Sequence, residues 1–140
     1  MAEIKLEDHL SYIVASANRQ LEEELQESLR PAGVPIEQLR ILEALDRSGA
    51  CAMGELATHA LVEPPTLTKI IDRMISDSLV FRAPDPDDRR RVLILLAPAG
   101  KALYKRLRKV SSAQEQRLAK QLSKGKADEL RNLLRELMSS

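Results

Sequence analysis

Phe81-Arg82-Ala83-Pro84-Asp85-Pro86-Asp87-Asp88-Arg89-Arg90-Arg91-Val92-Leu93-Ile94-Leu95-Leu96 reads as two short apolar strands joined by turn formers and charge. Strand propensity sits in Leu79-Val80-Phe81 and again in Val92 to Leu96, while Pro84, Pro86 and the Asp cluster are expected to exclude regular structure between them. The pattern is that of a β-hairpin wing. Its tip is rich in arginine, whose guanidinium is always charged, weakly hydrated and planar enough to lie between the walls of a DNA minor groove. Taken alone, such a run is more often a solvated charged turn, so its meaning depends on what comes before it.

Immediately upstream lies a short helical stretch, Met53 to Ala60, then Leu61-Val62-Glu63, then a second helix expected from Pro64 to about Ser78. In the second helix Leu67, Ile70, Ile71, Met74 and Ile75 follow the i, i+3, i+4, i+7, i+8 spacing of one core-facing stripe. The opposite face is left to Thr66, Lys69, Arg73 and Ser76, with Thr68 and Asp72 at its flanks. Short hydroxyls near the helix start, with Lys and Arg behind them, supply donors for phosphates and base edges in a major groove. Pro64 and Pro65 suit first-turn positions, and Glu63 is placed to cap or to favour the positive helix end. A helical hairpin alone would be an ordinary structural unit. Followed directly by a wing, it becomes a winged helix-turn-helix.

These residues resemble the MarR family of bacterial transcriptional regulators. The resemblance is carried by Gln38-Leu39-Arg40-Ile41-Leu42, Glu55-Leu56-Ala57, Thr66 to Met74, Leu79-Val80-Phe81-Arg82, and Asp88-Arg89-Arg90 continuing through Leu96 to Gly100. Three positions depart from the family pattern. Leu61 and Ser78 stand where Gly often supplies a left-handed backbone, and either can adopt it at a cost of about 1 kcal/mol. Ala97 stands where a Thr often caps the next helix, and Pro98 partly compensates by fixing φ.

Apolar stripes also run through both ends: Leu6, Leu10, Ile13, Val14, Ala17, Leu21, Leu25 and Leu29 at the start, and Leu103 to Leu137 at the end. Such terminal helices are poorly buried in a chain of 140 residues unless they find partners. Intertwining them with a twofold mate would bury both stripes, which the resemblance implies as well, so a homodimer is expected. The expected architecture is mainly α with a small β-hairpin wing. It forms one domain, with dimerisation helices at about residues 1–30 and 98–140 and the winged core at about 35–97.

The net charge of +1 does not by itself point to nucleic acid, but its distribution does. Residues 1–30 hold three Lys/Arg against seven Asp/Glu, whereas residues 62–109 hold eleven against six. The basic excess coincides with the second helix, the wing and the start of the next helix, as docking on phosphate requires. The Glu22-Glu23-Glu24 and Glu27 cluster reads as a solvated helix face.

Other chemistries find little support. Cys51 is the only cysteine, which excludes an intramolecular disulfide. Its neighbours Ala50, Ala52 and Met53 offer no activating charge, so it reads as a packed thiol. His9 and His59 lie far apart, and the Glu55/His59 pair lacks a further ligand for zinc. No Gly-rich phosphate loop or nucleophile elbow appears, and Gly49, Gly54 and Gly100 read as turn or spacer glycines, so neither an enzyme nor a cofactor is expected. The chain has no apolar run of membrane-spanning length and no basic-then-apolar start, which sets the expectation of a cytoplasmic protein.

The resemblance implies a homodimeric repressor on double-stranded operator DNA, released by a small effector. Thr66, Thr68, Lys69 and Arg73 would read the major groove, Arg89 the minor groove, and Arg90 would touch phosphate while pairing with Asp88 to hold the hairpin. By family position, Tyr12, Asn18, Arg19, Leu39, Arg40 and Leu42 would line the effector site for a small anionic or aromatic molecule. In the residues themselves, Arg19 and Arg40 read equally as partners of neighbouring Glu side chains. The alternative from another class is a winged-helix protein-interaction module without specific DNA binding.

Overall fold

The computed structural model describes residues 3–139. Its elements run in the order α1 (Leu10–Leu29), α2 (Ile36–Ser48), β1 (Cys51–Ala52), α3 (Met53–Ala60), α4 (Pro64–Ser76), β2 (Val80–Asp85), β3 (Asp88–Leu96), α5 (Pro98–Leu122) and α6 (Lys124–Met138). The chain is mostly helical with one small antiparallel sheet, as expected. Two compact units are present, one ending at Leu107 and the other beginning at Arg108.

The core of the first unit is built around α2, which buries Ile36, Leu39, Ile41, Leu42, Ala44 and Leu45. This helix starts after the extended Pro35 and stops where Gly49 turns to φ 81°, a region open to Gly without Cβ strain. Leu56, Ala57 and Ala60 of α3 and Leu67, Ile71 and Met74 of α4 add their buried stripes, each large side chain contributing about 1.5–3 kcal/mol. The sheet closes the core with Val80, Ile94 and Leu96. Cys51 is buried there too, its Sγ 3.9 Å from the Ala44 carbonyl oxygen, as the packed-thiol reading requires.

The turn between α3 and α4 works as the departures foresaw. Leu61 adopts φ 59° and ψ 41°, and its N–H closes on the carbonyl of Thr58; Ser78 takes φ 61° after α4. The structure departs from the expected local pattern at several points. The second helix ends at Ser76, its last carbonyls taken up by the N–H groups of Asp77 and Ser78. Glu63 precedes α4 in extended geometry but makes no side-chain cap bond; the two prolines already remove donors that a cap would serve. Gly54 is neither turn nor spacer, because it lies within α3.

Gly100 also belongs to a helix. It sits in the first turn of α5, where an added Cβ would collide with the Leu79 carbonyl oxygen. That carbonyl accepts the Ala97 N–H at 2.9 Å, so the start of α5 is pinned to the residue that opens the wing. This tertiary bond satisfies the Ala97 N–H and anchors the helix start, although it does not serve the first-turn N–H groups that a side-chain cap would accept.

The strands are ordered β1-β3-β2, with β3 central. Val80 pairs with Leu96, Phe81 with Leu95, Arg82 with Ile94, Ala83 with Leu93 and Pro84 with Val92, and after an irregularity Asp85 faces Asp88. Regular pairing therefore reaches through Pro84 to Asp85 and from Asp88 onward, leaving only Pro86 and Asp87 as the tip. Pro84 is tolerated because β2 is an edge strand and a missing N–H need break no ladder bond on its outer side. On the other side of β3, Cys51 and Ala52 pair with Ile94 and Leu93, a two-residue strand too short to leave a sequence signal.

In the second unit α6 carries a Ser123 cap, whose Oγ accepts the Lys126 N–H at 3.4 Å. Arg131 joins Glu115 of α5 at 3.0 Å and Asp128 at 2.8 Å. Leu130, Leu133, Leu137 and Met138 of α6 are exposed, and so are Leu10, Ile13 and Val14 of α1 in the first unit. No described helix is long and apolar enough to cross a membrane.

Candidate nucleic-acid interface

The amphipathic sequence of α4 turns Leu67, Ile71 and Met74 inward and leaves Thr66, Thr68, Lys69 and Arg73 exposed. The predicted polar face therefore exists as one surface, built on a rigid helix. Thr68 donates its hydroxyl back to the Pro64 carbonyl at 3.2 Å and keeps the acceptor capacity of that oxygen. Arg73 Nε lies 3.4 Å from Asp77 Oδ2, an exposed i,i+4 pair of little net strength that competes weakly with an external phosphate.

The wing is tied to this helix. Arg82 of β2 donates from Nη2 to Asp72 Oδ1 of α4 at 2.6 Å, crossing from strand to helix. Sequence reading noted Asp72 only as a flank of the polar face and missed this pair, because the residues meet only once β2 folds back along α4. At the tip, Asp85 Oδ1 accepts the Asp87 N–H at 2.9 Å and Asp88 Oδ1 accepts the Arg90 N–H at 3.0 Å. Asp88 thus supports the hairpin through the Arg90 backbone, not through its guanidinium as expected, since two residues' separation suits an Asx turn.

That arrangement leaves the guanidinium of Arg90 free. The side chains of Lys69, Arg89 and Arg90 form no hydrogen bond or ion pair with the described residues, and all three are exposed. Desolvated neither by burial nor by a partner, they are available for phosphate or groove contact. The third member of the arginine run differs: Arg91 pairs with Glu55 of α3 and lies 3.9 Å from Asp85.

The residues proposed for an effector are spread over several surroundings. Leu39 and Leu42 are core residues of α2. Arg19 pairs with Glu23 at 3.1 Å. Arg40, whose side chain is 27% exposed, donates to Glu22 Oε1 at 3.3 Å and to the Ala60 carbonyl at 3.4 Å. It also edges a cleft of about 150 Å³ with Glu43, Arg47 and His59. Tyr12 lines a separate groove along α1 with Ile13, Ser16 and Gln20, and Asn18 is exposed on the same helix. The two arginines thus take the carboxylate partners that the residues themselves allowed. Among the described residues no group of three or more His, Cys, Asp or Glu side chains is placed to hold a metal ion.

Comparison with known proteins places this geometry. The model of the MarR family matches residues 34–92, from the end of the α1–α2 turn into β3. The homoprotocatechuate degradative operon repressor of Escherichia coli is 32% identical over 103 residues, covering 74% of this chain and 70% of its own. Among solved structures, a MarR variant from Escherichia coli complexed with operator DNA superposes with a TM-score of 0.84 at 26% identity, covering 96% of this chain and 99% of its own. NadR in complex with 4-hydroxyphenylacetate gives a TM-score of 0.84 at 26% identity and covers 99% of both chains. With a winged helix-turn-helix whose α4 face and wing tip offer unpaired cations, and with relatives that are DNA-binding repressors, the chain belongs to the MarR family of transcriptional regulators.

Proposed function

We propose that this protein is a homodimeric repressor that binds an operator through two copies of α4 and releases it on binding a small aromatic or anionic molecule. The observation that carries the reading is the trio of unpaired, exposed cations, Lys69, Arg89 and Arg90, on a recognition helix and an adjoining wing. Thr66, Thr68, Lys69 and Arg73 enter the major groove, Arg89 reaches the neighbouring minor groove, and Arg90 meets phosphate. The exposed apolar stripes of α1 and α6 are the surfaces that a second copy covers, setting the two α4 helices about one DNA turn apart. In this scheme residues 1–30 and 98–140 dimerise and residues 35–97 read DNA.

The NadR complex with 4-hydroxyphenylacetate supports an aromatic acid as the effector class. Tyr12, Asn18 and Arg19 on α1 and Leu39, Arg40 and Leu42 on α2 remain its candidate contacts. A carboxylate ligand would compete with Glu22 and Glu23 for the two guanidinium groups.

Fluorescence-anisotropy titration of the intergenic duplex beside its own gene, at several salt concentrations, tests the reading. Wild type should bind tightly and steeply with salt, and far more weakly to an unrelated duplex. Arg89→Ala should lower affinity on every sequence and flatten the salt slope by about one unit. A folded dimer that binds no duplex would instead favour a protein-interaction module.

A further inference from the structure

Three arginines stand in a row on β3, and the structure treats the third differently from the other two. Arg89 and Arg90 keep their guanidinium groups unpaired among the described residues, whereas Arg91, half-exposed, is flanked by two carboxylates from two other elements. One is Glu55, in the first turn of α3, which accepts from Arg91 Nη2. The other is Asp85, at the end of β2, whose Oδ2 lies 3.9 Å from Arg91 Nε.

Asp85 is itself committed at the tip: its side chain is only 12% exposed, and Oδ1 accepts the Asp87 N–H at 2.9 Å. A chain of contacts therefore runs from α3 through Glu55, Arg91 and Asp85 to the turn that presents Arg89 and Arg90. Arg82–Asp72 holds the wing to α4 on the β2 strand, and Arg91–Glu55 holds it to α3 on the β3 strand. Two ties on different strands, to two different helices, restrain rotation of the hairpin where one tie would act as a pivot.

We propose that Arg91 is a positioning residue for DNA recognition: clamped by Glu55 and Asp85, it fixes the wing against α3 so that Arg89 and Arg90 meet the duplex in register with α4, and it makes no phosphate contact itself. The DNA part of this inference rests on the operator-binding reading above.

The role reverses the sign of a simple electrostatic expectation. Removing the negative charge of Glu55 from a DNA-binding module should raise affinity for a polyanion if charge alone mattered. Under the clamp, Glu55→Gln lowers affinity, because the entropy of ordering the wing is then met at the moment of binding.

The experiment is a double-variant cycle of Glu55→Gln and Arg91→Gln, titrated against the operator duplex over a range of salt. Each single variant should weaken binding by about three- to fivefold, the range set by an exposed ion pair, with no change in the salt slope. The double variant should be no weaker than either single one. Hydrogen exchange in the free protein provides the arm that needs no DNA: amides of residues 87–91 should exchange faster in both variants, while those of α2 stay protected. A salt slope made shallower by about one unit in Arg91→Gln would mean direct phosphate contact and overturn the proposal. So would tighter binding by Glu55→Gln, additive losses, or unchanged exchange at the tip. Failure of wild type to bind any duplex would count against the operator reading, and the exchange arm would still decide whether the clamp exists.

Discussion

Leu61 and Ser78 hold left-handed backbone angles that place their Cβ atoms close to the following carbonyl, at a cost of about 1–2 kcal/mol each. The fold retains them because each closes a turn on which a larger element depends: Leu61 sets α3 against α4, and Ser78 turns α4 into the wing. Leu61 is 74% exposed, so its side chain returns little by burial. Leu61→Gly should therefore stabilise the protein by roughly 0.5–1 kcal/mol, the relief of strain being offset in part by the greater freedom of Gly in the unfolded chain. Urea denaturation monitored by circular dichroism measures this, and an unchanged or lowered midpoint would contradict it. Both strained residues were legible only through the family resemblance, which marks them as positions where Gly often supplies a left-handed backbone. Gly100 was not, because its constraint comes from the Leu79 carbonyl, distant along the chain and brought close only by the completed wing.

The elements themselves were read with uneven success, for identifiable reasons. α4 announced itself through a long apolar stripe and two first-turn prolines, and only its end was misplaced, by two residues. The wing is legible in sequence but its strands run longer than the pattern suggests, because an edge strand accommodates the proline that would otherwise end pairing. β1 gave no signal, since two residues carry no period. The residues exposed on α4 are those that its apolar stripe leaves outward, yet the tie of this face to the wing through Asp72 was invisible before β2 was in place. Thr66 and Thr68 lie near the N-terminus of α4, so under the proposed docking exchange of either should change which base is preferred more than how tightly DNA is held. Selection from a randomised duplex pool should show Thr68→Ala losing discrimination at one position per half-site, by about 1–3 kcal/mol at most. Uniform weakening over all sequences would assign Thr68 to phosphate instead.

For the whole molecule, charge and apolarity are segregated along the chain: acidic residues crowd the first thirty positions, and the basic excess lies from α4 to the middle of α5. This separation was fully legible in sequence, as were the terminal stripes, but no single-chain pattern says what those stripes touch. If they form the dimer, Leu133→Glu should convert the protein to a monomer in sedimentation velocity at micromolar concentration. Operator affinity should fall by about a hundredfold or more as the second half-site is lost, in line with the effective concentration that linkage supplies. A dimer that survives both Leu133→Glu and Ile13→Glu would place the twofold contact elsewhere. The central strand of the sheet has a further consequence. β3 is paired on both flanks at Leu93 and Ile94 but on one flank alone from Asp88 to Val92, so in that stretch the hairpin is held on its open flank by the Arg91–Glu55 side-chain tie in place of ladder bonds. None of residues 86–90 is buried, so exchanges there leave the hydrophobic interior, and the folding that depends on it, unchanged.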